Sequence, residues 1–275
     1  MRTFLPLVSV VTISYNQAEF LEKTIRSVIA QDYPYLEHIV VDPGSTDGSL
    51  AIIERYRHWF AEVIVAPDDG PADGLNKGFL RARGAIFAFL NADDVLLPGA
   101  VTRAIKVLST KGGMAAVIGS GILIDEGGQP RGSLASTTLT MSRLAHGCAT
   151  FVQPSSFFTR AAFETAGGFN PRNHTCWDLE LFVDMLQLGT TFTILNWPLA
   201  AFRRHPGQIS GSGRLQERYE EDKSRLFHHG AIRHHRSRVP VSQIACRVLN
   251  QLEIRCRRSL ATVIFRVFLR RSLLA

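Results

Sequence analysis

The sequence predicts an α/β protein with a mostly parallel central sheet, flanking helices and a basic helical tail at the C-terminus. Three observations lead there. Short apolar runs alternate four times with segments whose apolar residues recur at helical spacing, the pattern of βαβ units. Three strand exits carry acids or polar loops, namely Ser14 to Asn16, Asp42, and Asn91 to Asp94. The chain's 275 residues, 45% of them hydrophobic, suffice for one large domain with a sizeable core and an appendage.

The elements follow in order. Leu7 to Ile13 is apolar and rich in β-branched residues, which predicts a buried strand. Ser14-Tyr15-Asn16-Gln17 is a polar loop, and Phe20, Leu21, Ile25, Val28 and Ile29 mark a helix that Asp32-Tyr33-Pro34 ends. His38 to Val41 is the second strand, with Asp42 at its exit. The dense turn Pro43 to Gly48 leads into a helix from Ser49 to about Trp59. Val63 to Ala66 is the third strand. The loop Pro67-Asp68-Asp69-Gly70-Pro71 and a helix bearing Leu75, Phe79 and Leu80 follow, and Ile86 to Leu90 is the fourth strand.

The second half is less regular. Ala115 to Gly119, Ile122 to Ile124, Thr191 to Leu195 and Leu199 to Phe202 read as strands, and Trp177 to Leu188 as a helix. Gly132 to Leu144 is rich in Ser and Thr and reads as a mobile loop over the site. There is no internal repeat and no low-complexity tract.

Asn91-Ala92-Asp93-Asp94 is the most informative stretch, because two adjacent carboxylates leave a buried strand at the sheet rim. Ligands of open α/β sheets bind at that rim. Carboxylates there can hold a divalent cation, which in turn can hold a diphosphate. The alternative is a surface turn that caps the next helix, with Pro98 opening it.

Charge is unevenly spread. From Ser224 onward there are 11 arginines, no lysine and a single acid, Glu253, a charge of +10; residues 1–223 hold 20 basic and 23 acidic residues, a charge of −3. Such asymmetry points to an anionic partner for the tail, most simply a membrane surface. Val241, Ile244, Ala245, Val248, Leu249 and Leu252 form an apolar stripe at helical spacing. Two readings stay open: a membrane interface, or a helix packed on the main domain. His228, His229, His234 and His235 lie among arginines without acids or cysteines, which favours an exposed basic face over a metal site. No stretch is long and apolar enough to span a bilayer. Arg2 and the apolar run from Phe4 superficially resemble a signal peptide, but Pro6 interrupts them and no small-residue cleavage site follows. Cys148, Cys176, Cys246 and Cys256 show no CxxC or metal-ligand spacing, so reduced thiols and a cytoplasmic location are expected, with peripheral membrane attachment through the tail as an option.

Together the motifs resemble a known family. Val8 to Asn16, Val40 to Ser49, Asp73-Gly74-Leu75-Asn76-Lys77-Gly78, Phe89 to Asp94, Gly167-Gly168-Phe169 and Trp177 to Leu181 look like the family-2 inverting glycosyltransferases of the Rossmann-like GT-A fold. The resemblance covers roughly the first 210 residues and leaves out the tail; the order and spacing of several motifs make it more specific than any one of them. With the change in charge at Ser224, the expected domain limits are 1–223 (nucleotide-binding half 1–110, acceptor-binding half 111–223) and 224–275. The resemblance implies that Thr12, Ser14, Asp42, Asp73, Lys77 and Asn91 contact the nucleotide. Asp42 also suits a turn of its own, and Lys77 an exposed helix position.

The resemblance further implies that Asp93 ligates Mg²⁺ or Mn²⁺, with Asp94 helping through water and His205 at the metal or diphosphate. The family's Asp-x-Asp begins here with Asn91, which keeps hydrogen bonds but loses a charge. Asp178 matches the general base, with Glu180 as runner-up and helix capping as the other use of Asp178. Arg203 and Arg204 would aid a diphosphate or a lipid-phosphate acceptor. The implied partners are a nucleotide-sugar donor, with uridine diphosphate as the default, and a glycan or lipid-linked acceptor.

Two other functions compete. A nucleotidyltransferase also puts carboxylates at strand ends, but usually has a Gly-rich basic loop after the first strand. Thr12 to Gln17 has no Gly, Lys or Arg. A non-catalytic binding protein for nucleotides or anionic surfaces is the third. Acidic strand ends argue against nucleic acid on the main domain.

Overall fold

The structure, a computed structural model, describes residues 5–209, 215–228 and 243–264, with the backbone alone for 227, 228 and 243–246. The first half is as the periodicity predicts. Strands β1 (Val8–Ile13), β2 (Leu36–Asp42), β3 (Glu62–Val65) and β4 (Ile86–Asn91) alternate with helices α1 (Ala18–Ile29), α2 (Ser49–Arg55) and α3 (Pro71–Arg81). They pair in parallel in the order β3-β2-β1-β4. Strand order reverses at β1, so a crevice opens beside the exits of β1 and β4.

Beyond β4 come β5 (Val95–Leu96), α4 (Ala100–Leu108), β6 (Ala115–Ile124), β7 (Pro130–Leu134), α5 (Met141–Ala145), β8 (Ser156–Thr159), α6 (Arg160–Thr165), α7 (Trp177–Gln187) and β9 (Thr191–Arg203). The sheet has nine strands in the order β3-β2-β1-β4-β8-β6-β9-β5, with β7 beside β6. The pairs formed by β8, β5 and β7 are antiparallel, while β6 and β9 run parallel.

Several expectations change here. The stretches expected as two strands at 115–124 are one, because Gly119 and Gly121 are not breaks but close approaches. A Cβ on Gly119 would meet Leu199 Cγ at 2.4 Å, and one on Gly121 would meet Val152 Cγ1 at 2.7 Å. The span 191–203 is likewise one strand, with register shifts where it pairs β6 at Gly119 to Gly121. The expected loop at 132–144 is instead the end of β7 and helix α5, the latter capped by Thr140 accepting from Arg143 N.

Alternation along the strands buries both faces. Val8 and Val10 with Ile86, Ala88 and Leu90 pack under α4, whereas Val11 with Phe87 and Phe89 packs under α3, α6 and α7. Phe79 is central on the latter face, with ring centroids 4.7 Å from Phe87 and 4.8 Å from Phe163. Truncating it to Ala would cost about 3–5 kcal/mol. Asn91 continues the Phe87–Phe89 alternation and so belongs to the face on which α7 packs.

Helix α8 (Gln216–His228) runs across the 223/224 boundary expected from composition. Its Asp222 accepts from His174 N (3.2 Å) and Thr175 Oγ1 (2.8 Å), so it steadies the loop leading into α7. Helix α9 (Gln243–Ile264) docks on the main domain beside β7 and β9. No described helix is long and apolar enough to cross a membrane. Val241, His229, His234 and His235 lie outside the described residues.

Candidate functional site

The loops after β1 and β2 are knitted together. Asn16, in the left-handed region at φ 51°, donates its N–H to Ser45 Oγ (2.8 Å), and its Oδ1 accepts from Thr46 N (2.9 Å). Asp47 Oδ2 accepts from Ala18 N (2.8 Å) at the start of α1, while Oδ1 accepts from Ser49 N (3.0 Å) at the start of α2. Burial alone would raise the Asp47 carboxyl, but the hydrogen bonds from Ser49 and Ala18 outweigh it and hold it below the usual range.

Two residues expected on the nucleotide are turned to other work. Thr12 is fully buried, its hydroxyl 2.9 Å from His38 Nε2, and burial pushes that imidazole down to about 3, so it stays neutral. Asp42 is also fully buried. Its Oδ1 accepts from Gly44 N (2.9 Å) and Ser45 N (2.7 Å), and its Oδ2 from Ser45 Oγ (2.7 Å). The self-contained turn forms, and three of the carboxylate's acceptor positions are used within the loop. Ser14 differs: it is buried at the exit of β1 and its hydroxyl has no partner. Buried hydroxyls are ordinarily hydrogen-bonded, so its free capacity at a strand exit suits a ligand's polar atom.

The β3–α3 loop closes on itself too. Lys77 Nζ lies 2.7 Å from Asp73 Oδ2 and donates to Pro67 O at 2.6 Å. That ion pair lowers the Asp73 carboxyl, and the lysine expected on phosphates is tethered to its own loop. Asp68, which no sequence signal singled out, sits there half-buried and is raised chiefly by desolvation.

Motif residues of α3 lock onto the second half. Asn76 Nδ2 donates to Phe169 O (2.8 Å) and Asn76 Oδ1 accepts from Phe169 N (2.9 Å). Gly168, at φ 78°, allows this, because a Cβ there would lie 3.0 Å from Asn76 Oδ1.

At the exit of β4, His205 Nε2 lies 3.0 Å from Asp93 Oδ2. The His205 ring packs against Phe20 at 4.6 Å between centroids, which fixes its orientation. Asn91 donates to Gln153 Oε1 (3.4 Å) while its own Oδ1 is buried without a partner. Gln153, another residue without a sequence signal, is held by donating to Phe89 O (3.1 Å).

Asp94 has a different task. It is fully buried and accepts from Arg203 N (2.9 Å); burial and the neighbouring Asp93 raise its carboxyl well above the usual range. Arg203, expected on a diphosphate, is 1% exposed. It donates to Asp93 O, Asp125 O and Glu126 O and stacks on Phe20, so it braces the loop rather than reaching a ligand. Arg204 is exposed.

The 3.0 Å contact between His205 and Asp93 is a hydrogen bond that sets an imidazole beside a carboxylate, two donor types found on divalent cations. Among the described residues no cluster of three or more His, Cys, Asp or Glu side chains stands ready for a metal.

The first turn of α7 carries both base candidates, and they are not equivalent. Glu180 Oε1 accepts from Asn170 Nδ2 (2.9 Å), and its Oε2 from Asn173 Nδ2 (2.7 Å) and Arg225 (3.3 Å). These three donors make it a structural tie. Asp178 accepts from Leu179 N (2.8 Å), and desolvation raises its carboxyl to about 6. Cys176 beside it is pushed up to about 11 by burial, which makes it inert as a nucleophile.

Comparison with known proteins agrees with this frame. The family model described as glycosyl transferase family 2 matches residues 9–167. The chain belongs to that family. An uncharacterized glycosyltransferase of Mycobacterium tuberculosis is 39% identical over 122 residues, 44% of this chain and 47% of the relative. A putative teichuronic acid biosynthesis glycosyltransferase of Bacillus subtilis, TuaG, is 40% identical over 97 residues, 34% of this chain and 38% of the relative. The matched stretches thus span less than half of either relative.

Among solved structures, S. aureus TarS 1-349 in complex with UDP-GlcNAc superposes with a TM-score of 0.63 at 18% identity, over 95% of this chain and 76% of that one. The mannosyltransferase PcManGT of Pyrobaculum calidifontis, in complex with GDP-Man and Mn²⁺, gives 0.61 at 18%, over 94% and 76%. The fold is the GT-A glycosyltransferase fold. The family match ends at Gly167, so Asp178 and His205 stand on geometry.

Proposed function

We propose that the protein transfers a sugar from a nucleotide-diphosphate donor, UDP-linked by default, to a hydroxyl of a glycan or lipid-linked acceptor, with inversion. The carrying observation is the meeting of Asp93 and His205 at the exit of β4. These two residues would hold Mg²⁺ or Mn²⁺, which when bound neutralises the charge that develops on the leaving diphosphate. Ser14 and Asn91, each with an unpartnered buried polar atom, face the donor.

Asp178 accepts the proton of the acceptor hydroxyl as its oxygen attacks the anomeric carbon. The new C–O bond forms on the face opposite the bond to diphosphate, which breaks with both electrons going to the phosphate oxygen. A carboxyl raised to about 6 is ionised at neutral pH yet basic enough to share a proton in the transition state. The test is a donor screen. Thermal melts with UDP, GDP, dTDP and CMP, each with and without Mn²⁺, should show a metal-dependent rise with one nucleoside diphosphate. Equal melts in all conditions would overturn the reading.

A further inference from the structure

Helix α9 has two working faces. Its inner face docks on the domain: Asn250, Ile254, Ala261 and Ile264 are buried, and Ile264 joins Val95, Leu97, Ile122, Ile124 and Ala201. Glu253 sits on this face, accepting from Thr138 N (2.9 Å), Arg143 (2.5 Å) and Arg257 (2.8 Å). Burial alone would raise its carboxyl, and those hydrogen bonds reverse the shift and hold it at about 2.

The outer face is apolar. Val248 is 53% exposed, Leu249 60%, Leu252 52%, Leu260 43% and Val263 56%. Positions 248, 252, 256 and 260 recur every four residues, so they share one side of the helix. Arg247, Arg255 and Arg258 are exposed along its flank. The single acid of the tail, Glu253, is turned inward and paired with Arg143 and Arg257.

We infer that this outer face of α9 docks on an anionic lipid surface. An apolar stripe flanked by cations suits the boundary between headgroups and acyl chains. The inner face stays on the protein, so the helix lies in the interface as part of the folded domain rather than as a loose anchor. Val95 and Leu97, on which Ile264 packs, follow Asp93 by two and four residues. The bilayer then lies about one helix diameter, ~10 Å, from the segment that carries Asp93. For the transfer reaction proposed above, that proximity suits an acceptor carried in the membrane.

The test uses the full chain and sedimentation with sucrose-loaded vesicles of phosphatidylcholine, with and without about 30% phosphatidylglycerol, at about 0.05 M and 0.5 M NaCl. Binding is expected with phosphatidylglycerol and should weaken at high salt. Replacing Arg247, Arg255 and Arg258 together by Gln should lower partition roughly a hundredfold, about fivefold per arginine. Val248→Glu with Leu252→Glu should lower it at least about tenfold, while the melting temperature and the nucleotide-dependent thermal shift stay at parental values. If that pair destabilises the chain, Val248→Ser with Leu252→Ser takes its place. Unchanged partition of the apolar variant, or no binding by the parent, overturns the inference. So does a dimer in sedimentation velocity that Leu252→Glu dissolves in a chain that ignores vesicles, because the face would then join two copies.

Discussion

His205 and Asp93 lie 112 residues apart in the chain and 3.0 Å apart in space. One ends the last core strand's exit loop and the other leaves β4. The pairing of β5 with β9, the bonds from Arg203 to Asp93 O and Asp94, and the packing of His205 on Phe20 bring them together. Asp93→Ala should abolish Mn²⁺-dependent nucleotide binding measured by calorimetry, with the melting temperature of the ligand-free protein unchanged within a few degrees. His205→Ala should weaken the metal by about 10–100-fold. Asn91→Asp should tighten it. An Asp93→Ala variant with parental metal dependence removes the assignment.

Asp178 predicts a pH profile. Its carboxyl must be ionised to take a proton, so kcat/KM should fall as pH drops through about 6 and level off above it. Asp178→Asn should lose about 10²–10⁴-fold in turnover while keeping donor affinity. An acid limb that survives in Asp178→Asn would place the base elsewhere.

The same carboxyl makes a stability prediction of opposite sign. Its folded value, about 6, lies above the ordinary 3.8, so the fold favours the protonated form. Ionisation therefore costs stability once pH exceeds the unfolded value, and the cost is fully present above about 6. Asp178→Asn should stabilise the protein by on the order of 1–3 kcal/mol at pH 7.5 and by little near pH 4. Chemical denaturation at the two pH values measures the difference. Equal effects at both would mean the site is not desolvated.

Glu180→Ala should behave as a structural lesion. It removes the acceptor for Asn170, Asn173 and Arg225, leaving donors unpaired at a cost of about 1–3 kcal/mol. The melting temperature should drop while the acid limb of kcat/KM remains. Loss of that limb, with stability intact, would make Glu180 the base.

Thr12 in β1 and Ser14 at its exit should separate folding from binding. Ser14→Ala should weaken nucleotide affinity at little cost in stability, because its hydroxyl is unpartnered. Thr12→Val should lower stability and spare affinity, because its hydroxyl serves His38. Melts and nucleotide titrations on both variants would decide, and reversed outcomes would exchange their roles.

The four parallel strands were legible because each carries a short apolar run bounded by turns, and in β1 and β4 both faces are buried. The second half was not, for local reasons. Gly119 and Gly121 look like interruptions until Leu199 and Val152 are seen against them. The four-residue β8 offers too short a pattern to count. Site positions were legible as motif members, but their partners were not. Asp42 before Gly44 suggested a turn of its own, and that turn forms, whereas nothing local to Lys77 says that its own loop engages it. Arg203 reads as an aid to a diphosphate or lipid phosphate until its guanidinium is found among carbonyls. The tail's stripe was found by periodicity. Its orientation was not, since Val248, Leu249 and Leu252 face outward and Ile254 and Ile264 inward.

Asp47 holds the first backbone N–H of α1 with one oxygen and that of α2 with the other. Two helices that enter the crevice from separate strands thus share a single hinge pin. A change at Asp47 alone would therefore untie the starts of both helices at once.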